Sequence, residues 1–392
     1  MNVWIQNPFD NLPGEGYRKQ RFGLMAEAFA RAGHRTVLWT GDFNHMTKAK
    51  RRLEGSGGLA GVEVRLIPTL PYRKNVGLER VRSHRAYAQE WERLAATCPP
   101  AERPDLIVAS TPTIGGAEAA IRLGRRFGAR VVIDVMDAWP ETFERLAPGG
   151  LRWLAKLALA GLRRRIRRVY READRVTGVC ERYRALTGRA DYRLAYHGIE
   201  LAPRLPSRAA NPPASAARLR LVYAGNLGLT YDLGTVLCGL AGLDGVTLDV
   251  AGKGRGEETW KRLARELGLA DRVTFRGYLS DGALRDLLDE CDVGLVPMPA
   301  DSFVGVPYKF ADYSSAGLAI VSSLGGESAA LLDRYGCGAA YATGDAAGFA
   351  KAVEGLRERL DEARAGARRM AEREFDAVRI YDAYVSAVTA SA

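Results

Sequence analysis

The chain has 392 residues, 47% hydrophobic and 26% charged, a globular composition too long for one ordinary core, so two domains are expected. Net charge is +11, which favours an anionic partner such as a nucleotide diphosphate, an acidic membrane surface or nucleic acid. Five scattered cysteines without a CxxC pair, and four histidines without an i,i+4 pair, exclude a disulfide framework or zinc site and imply reduced thiols in a cytoplasm.

Val3 to Ile5 reads as a first strand; Met1 to Gln6 is too short for a secretory leader, and no run approaches the roughly 20 apolar residues of a membrane span. A loop punctuated by glycine and proline follows. Arg21 to Ala32 has helical spacing, with Phe22, Met25, Ala26 and Phe29 on one face and Gly33 as its stop. Thr36 to Trp39 is the second strand. In such a unit the loop stands at the carboxyl end of a parallel sheet, where Gly14 and Gly16 let backbone approach a ligand and Arg18 or Arg21 can meet a phosphate. A plain surface loop fits the same spacing. Basic runs follow at Lys48 to Arg52, Arg73 to Lys74 and Arg80 to Arg85, around a strand at Val62 to Ile67, and read as solvated faces.

Asp105 to Ser110, Ile114 to Phe127 and Arg130 to Asp134 read as strand, helix and strand. Directly after them stand Asp137, Trp139 and Pro140, an acid, an indole and a proline at a strand's carboxyl end, where a ligand or a tight turn has use for them. Leu151 to Ala173 reads as one long helix, apolar in its first half and carrying six arginines in the nine residues from 163 to 171. It suits an anionic membrane surface, or a core-packed helix with a solvated basic face. Asp174 to Val179 and Arg193 to Glu200 complete the first half as strands.

Residues 201–217, with four prolines and no hydrophobic period, form a linker. A second strand-and-helix series follows: strands at Leu219 to Gly225, Val246 to Gly254, Arg272 to Leu279, Val293 to Pro297, Ala319 to Ser323 and Gly338 to Tyr341. Helices are expected at Leu233 to Leu240, Gly282 to Cys291 with Ser280 as cap, Tyr308 to Gly317, Ala347 to Glu374 and Asp376 to Val388. The run from Ala251 to Gly256 (AGKGRG) is a weak glycine-loop signal by itself. The segment from Asp301 to Gly317 is more informative. Gly305 and Pro307 lead from a buried strand into a helix whose first turn carries Lys309, a position unfavourable to the helix unless an anion is held there. Asp312 lies on the same face and can accept from ribose hydroxyls. A strand-to-helix turn with a surface lysine is the plainer reading.

These motifs together resemble a known family, the retaining GT-B glycosyltransferases of glycosyltransferase family four. Gly225 to Gly228 (GNLG), Ala251 to Gly254 (AGKG) and Val273 to Tyr278 are similar to the glycine turns and nucleobase-side strand of that family. Pro307 to Gly317 resembles its P-x-K-x-x-E-Y-x-A-x-G segment. Asp134 to Glu141 resembles the D-x-x-D-x-W-P-E of bacterial sugar transferases, and His197 to Glu200 the turn at the domain junction. There are departures: Val304 where the family has an acid, Asp312 for its glutamate, Met136 for its histidine, and no cation beside Asn226.

The resemblance implies an α/β protein of two Rossmann-like doubly wound domains facing across a cleft. Residues 1–200 form the acceptor side (Gly14, Gly16, Arg18, Arg21) and residues 218–374 the nucleotide-sugar side, with 375–392 a terminal helix returning to the first. It implies a metal-independent, retaining transfer from a UDP- or GDP-sugar co-substrate, without other cofactor, to a sugar or lipid-linked acceptor in cell-surface polysaccharide or glycolipid synthesis. Asp137 and Lys309 are the catalytic candidates. Gly225, Asn226, Lys253, Tyr278, Val306, Pro307, Tyr308, Lys309 and Asp312 are the donor-binding ones. The location implied is cytoplasmic, peripheral on the inner membrane face. The departures also fit a donor-binding partner subunit that has lost its catalytic set, or a sugar-nucleotide epimerase. Nucleic acid is least favoured, because the basic residues are dispersed without aromatic platforms.

Overall fold

The computed structural model describes residues 1–51, 58–74, 77–145, 147, 149–201, 218–228 and 231–390. Of the expected linker, Leu201 alone falls among these. The chain divides into two units, Met1–Gly198 with Val378–Ala392, and Ile199–Ala377.

The first unit holds β1 (Asn2–Gln6), β2 (Arg35–Gly41), β3 (Val62–Ile67), β4 (Leu106–Thr111), β5 (Arg130–Val135), β6 (Arg175–Gly178) and β7 (Arg193–Leu194). They pair in the order β3-β2-β1-β4-β5-β6-β7, all parallel. Val3, Trp4, Ile5 and Leu106 to Ala109 are all fully buried, as expected when helices cover both faces of a parallel sheet. The order reverses between β1 and β4, and the carboxyl ends there open where such sheets take ligands. The helices are α1 (Arg21–Arg31), α2 (Leu78–Ala96), α3 (Ile114–Phe127), α4 (Glu141–Arg145), α5 (Arg152–Ala158), α6 (Ala160–Glu172) and α7 (Arg182–Thr187).

Three expectations are corrected in this unit. The basic run at Arg80 to Arg85, expected as a solvated face, opens α2: Arg82 and Arg85 are exposed, but Arg80 is half-buried, and Ser83, Tyr87, Trp91 and Ala95 are buried at helical spacing. The expected single helix from Leu151 to Ala173 bends at Leu159. Leu159 N still donates to Ala155 O and Arg163 N to Leu159 O, so the ladder continues across a bend placed beside Gly161, a weak helix former. Of the strand expected over Arg193 to Glu200, Arg193 and Leu194 alone join the sheet, and Ile199 forms an isolated parallel bridge with Asp376.

The second unit holds β8 (Leu219–Ala224), β9 (Val246–Ala251), β10 (Val273–Gly277), β11 (Val293–Val296), β12 (Ala319–Ser322) and β13 (Gly338–Ala340). Their order is β10-β9-β8-β11-β12-β13, again parallel, with the reversal between β8 and β11. Around the sheet run α8 (Leu233–Ala241), α9 (Glu257–Glu266), α10 (Asp281–Asp289), α11 (Tyr308–Ser315), α12 (Glu327–Tyr335), α13 (Ala346–Arg357) and α14 (Leu360–Met370). The single helix expected over Ala347 to Glu374 breaks at Arg359, whose guanidinium donates to Gly336 O and Gly338 O. The last helix, α15 (Ala377–Thr389), packs in the first unit, where Tyr384 meets Phe29 edge-on, 6.4 Å between ring centroids.

Candidate active site

In the second unit three loops at the carboxyl ends of β8, β9 and β10 are stitched by backbone. Gly225 N donates to Ala251 O (2.9 Å), Leu227 N to Lys253 O (3.1 Å) and Gly252 N to Gly277 O (2.7 Å). This closeness requires glycine. Gly252 has φ +139°, and a Cβ there would stand 1.8 Å from Gly225 O. Gly225 has φ +151°, and its Cβ would stand 2.4 Å from Lys309 Nζ. The side chain from the first turn of α11 therefore lies directly over the first glycine loop.

Below Lys309 Nζ lie the rings of Tyr223 (5.2 Å) and Tyr231 (5.7 Å). Burial pushes its pKa down to about 8, with Asp312 opposing, so the ammonium persists at neutral pH in a setting that favours an added anion. Tyr313 fixes α11 to the sheet. Its hydroxyl accepts from Ala224 N at 2.9 Å, and its ring occupies the space a side chain at position 294 would need, with the Cβ–ring distance there 2.3 Å. Tyr223 OH donates to Asn226 O at 2.7 Å, holding the glycine turn.

Of the donor-side candidates, Gly225, Lys309 and Asp312 converge, and Pro307, with Val306 buried before it, leads α11. Lys253, Asn226 and Tyr278 are exposed at the rim of the stitched loops, and Tyr308 is half-buried in the first turn of α11. The sequence reading missed Tyr223 and Tyr231; a pair of tyrosines flanking a glycine turn was the available signal. Among the described residues, no three His, Cys, Asp or Glu side chains form a group suited to a metal.

In the first unit Asp137 follows β5. It accepts from Trp139 Nε1 (3.1 Å) and Thr142 Oγ1 (3.4 Å), and burial raises its pKa. Trp139 stacks on His84 at 6.0 Å, and Arg80 lies over the Trp139 ring at 5.1 Å from its centroid. Gly14 and Gly16 sit in an exposed turn with nothing within 4 Å of a built Cβ, and Arg18 is half-buried near His197. Arg21 is corrected. It is fully buried and donates to Asp134 Oδ1 and Oδ2 (both 2.8 Å) and to Ala195 O and Tyr196 O (both 2.9 Å), so its donors are spent inside the unit.

Two doubly wound parallel sheets, the second with glycine loops under a helix-borne lysine, define a GT-B glycosyltransferase. Residues 19–222 match the glycosyl transferase 4-like domain and residues 221–359 the glycosyl transferases group 1 model, and the chain belongs to the glycosyl transferase 4-like family. No curated protein sequence matches it at a significant level. Among solved structures it is similar to HepE of Anabaena in complex with UDP, at 15% identity and TM-score 0.69 over 99% of this chain and 100% of that one. It is similar also to sucrose-phosphate synthase of Thermosynechococcus elongatus, at 15% identity and TM-score 0.72 over 99% of each. A third is the lipopolysaccharide outer core galactosyltransferase WaaB, at 14% identity and TM-score 0.65 over 99% of each. At such identities these likenesses speak for the fold.

Proposed function

We propose that the protein is a retaining, metal-independent glycosyltransferase that takes a sugar from a nucleotide diphosphate sugar. The observation carrying this reading is Lys309 Nζ placed against Gly225, a cation beside an exposed glycine turn at the sheet's switch point. A departing diphosphate needs charge stabilisation as its bond to the sugar breaks, and a fixed ammonium with backbone N–H groups supplies it without a metal. Asp312 faces the same lysine and suits the donor's hydroxyls. Retention rests on the resemblance of the Pro307 to Gly317 segment to retaining enzymes. UDP-sugars are the first donors to test, because HepE is seen with UDP; GDP-sugars come next. Turnover of a nucleotide sugar is expected to persist in EDTA. Complete, magnesium-reversible loss on chelation refutes the metal-free mechanism. Conversion of the donor without acceptor indicates an epimerase, and binding without turnover a non-catalytic subunit.

Asp137 is proposed to act on the acceptor hydroxyl. Asp137→Asn is then expected to lower kcat on the order of 100-fold, as for a lost general base, with donor affinity little changed. Its bonds to Trp139 and Thr142 equally suit a cap for the turn, and equal losses in both parameters favour that role.

The acceptor is proposed to be lipid-linked and presented at an anionic membrane surface, in polysaccharide or glycolipid synthesis. No helix among the described residues is long and apolar enough to cross a membrane. On α5 and the turn before it, however, Leu151, Trp153, Leu154 and Leu157 are 50%, 60%, 45% and 65% exposed. Arg164, Arg167 and Arg171 of the following α6 are exposed too, whereas Arg163 is paired with Glu141 and Glu144. Each basic residue near an anionic surface contributes about 1 kcal/mol, fading with salt. Cosedimentation with phosphatidylglycerol vesicles is expected at low salt and lost in the Arg164→Gln, Arg167→Gln, Arg171→Gln variant. Wild type remaining in the supernatant at low salt sinks the proposal and favours a soluble acceptor.

A further inference from the structure

The carboxyl edge of the first sheet gathers a second set of charged and aromatic side chains from segments far apart in sequence. Phe9 follows β1, His45 and Lys48 follow β2, Tyr72 follows β3, Arg80 and His84 stand in the first turns of α2, and Trp139 follows β5. Arg80 lies over the rings of Trp139 (5.1 Å), Phe9 (5.4 Å) and Tyr72 (6.0 Å). Lys48 Nζ lies over the same Tyr72 ring at 4.5 Å, so two cations are drawn to one aromatic platform. Arg80 Nε is 3.3 Å from His84 Nε2, and His45 Nδ1 is 2.5 Å from Tyr72 OH and 3.4 Å from Lys48 Nζ.

This gathering runs against local preference. Lys48 has φ +59°, the one positive φ at a non-glycine position among the described residues, a conformation that costs energy and recurs at ligand sites. Lys48 and Arg80 each lose proton affinity, chiefly by burial; for Lys48 the charge of Arg80 adds to the effect, whereas Tyr72 and Asp137 partly offset it at Arg80. Burial, and then the nearby cations, push His45 down to about 4 and His84 to about 3, so both rings are neutral at pH 7 and the positive charge rests on the two long side chains. Phe9, His45, Lys48, Arg80, His84 and Trp139 are all half-buried, so the cluster lines a surface rather than a core. Trp139 connects it to Asp137 through the 3.1 Å indole bond.

We propose that Lys48 and Arg80 form an acceptor subsite for an anionic substituent, a phosphate ester or a carboxylate, carried by the acceptor beside the hydroxyl that Asp137 serves. Convergent cations flanked by flat aromatic faces suit a charged oxygen group attached to a sugar ring: the ring packs on the aromatic faces while the oxygens take the guanidinium and ammonium donors. The assignment of this edge to the acceptor rests on the glycosyltransferase reading above, whereas anion capture by Lys48 and Arg80 does not.

Calorimetric titration of the full chain with glucose 1-phosphate, glucuronate and glucose tests the subsite, with UDP and GDP titrated in parallel. Saturable binding of at least one anionic sugar is expected, with glucose much weaker. The tighter of the two identifies phosphate or carboxylate as the group recognised. Arg80→Gln and Lys48→Gln are each expected to weaken that binding roughly tenfold, as for a lost charge-assisted bond, and Arg80→Lys to retain part of it. Lys309→Ala is expected to leave it intact. Loss in Lys309→Ala with no effect of Arg80→Gln or Lys48→Gln assigns the anion to the donor loops and overturns the proposal. So does glucose binding as tightly as the charged sugars, or no binding of either. If Arg80→Gln does not fold, Lys48→Gln, a half-exposed loop position, decides the matter alone. Failure of both UDP and GDP to bind, with the anionic sugars still bound, refutes the donor reading and leaves this subsite standing.

Discussion

Lys309→Ala is expected to weaken binding of a nucleotide diphosphate by about 10- to 100-fold, the 1.5–3 kcal/mol of a hydrogen bond to a charged group. The same lysine should give that binding a pH dependence. The groups facing Lys309 are Asp312 on its own helix and the tyrosines 223 and 231 beneath it, whose pKa values burial raises, so neither tyrosine ionises between pH 7 and 9. Lys309, with its pKa lowered to about 8, is the group that changes charge in that range. Affinity in the wild type should fall as pH rises through about 8 and stay flat in Lys309→Ala. The stability effect has the opposite sign. Between pH 8 and the ordinary lysine range the unfolded chain binds a proton that the folded chain has released, so this group adds stability as pH rises there. Below pH 8 the folded protein carries a charge that burial penalises. Lys309→Met should accordingly raise the melting temperature of the free protein at pH 7 while lowering its nucleotide affinity. Calorimetry from pH 6.5 to 9 and thermal melts of the two variants check both signs. Unchanged affinity in Lys309→Ala removes the diphosphate assignment.

Much of the geometry of this proposed donor site was legible because its constraints are local. A glycine turn, a lysine in a helix's first turn and an acid three residues later can each be read within a dozen residues, and their meeting at Gly225 follows from two strands adjoining in a parallel sheet. What was not legible needed long-range pairing. Arg21 looked like a ligand-facing cation at a loop's end, and nothing near it reveals that Asp134, 113 positions away, takes its charge. Arg80 looked like a solvated run because its apolar partners come from Phe9, Tyr72 and Trp139, distant in sequence. The stripe of Tyr87, Trp91 and Ala95 at four-residue spacing was the available signal of a helix there, and the charge overshadowed it. On α5 the sequence left two readings open, an exposed apolar face or a core-packed one, since amphipathic spacing says which residues share a face but not what that face meets; Trp153, Leu154 and Leu157 are exposed.

Arg21→Met is expected to destabilise the first unit by about 3–5 kcal/mol, the usual cost of leaving one partner of a buried ion pair alone. Both side chains of the Arg21–Asp134 pair are 0% exposed at 2.8 Å. The carboxylate also accepts from Thr177 Oγ1 at 2.6 Å, and that hydroxyl is 3.2 Å from Tyr384 OH of α15. Arg21 lies 5.7 Å from the Tyr381 ring centroid, and Tyr381 OH accepts from Gly198 N at 3.0 Å. One network thus ties α1, β5, β6, the 195–198 segment and the terminal helix. Burial alone lowers the proton affinity of Arg21, but the Asp134 charge and the tyrosines more than restore it, so the guanidinium stays charged. In Arg21→Met the carboxylate keeps Thr177 and loses every cationic donor, while Ala195 O and Tyr196 O lose theirs. Replacing both partners, Arg21→Met with Asp134→Leu, removes the stranded charge and should recover a large part of the loss. Five of the six tryptophans (4, 39, 91, 139 and 153) belong to the first unit, so tryptophan fluorescence in urea follows that unit's unfolding. A midpoint shift worth less than about 1 kcal/mol, the value of an exposed pair, shows that the pair contributes no more than a surface contact.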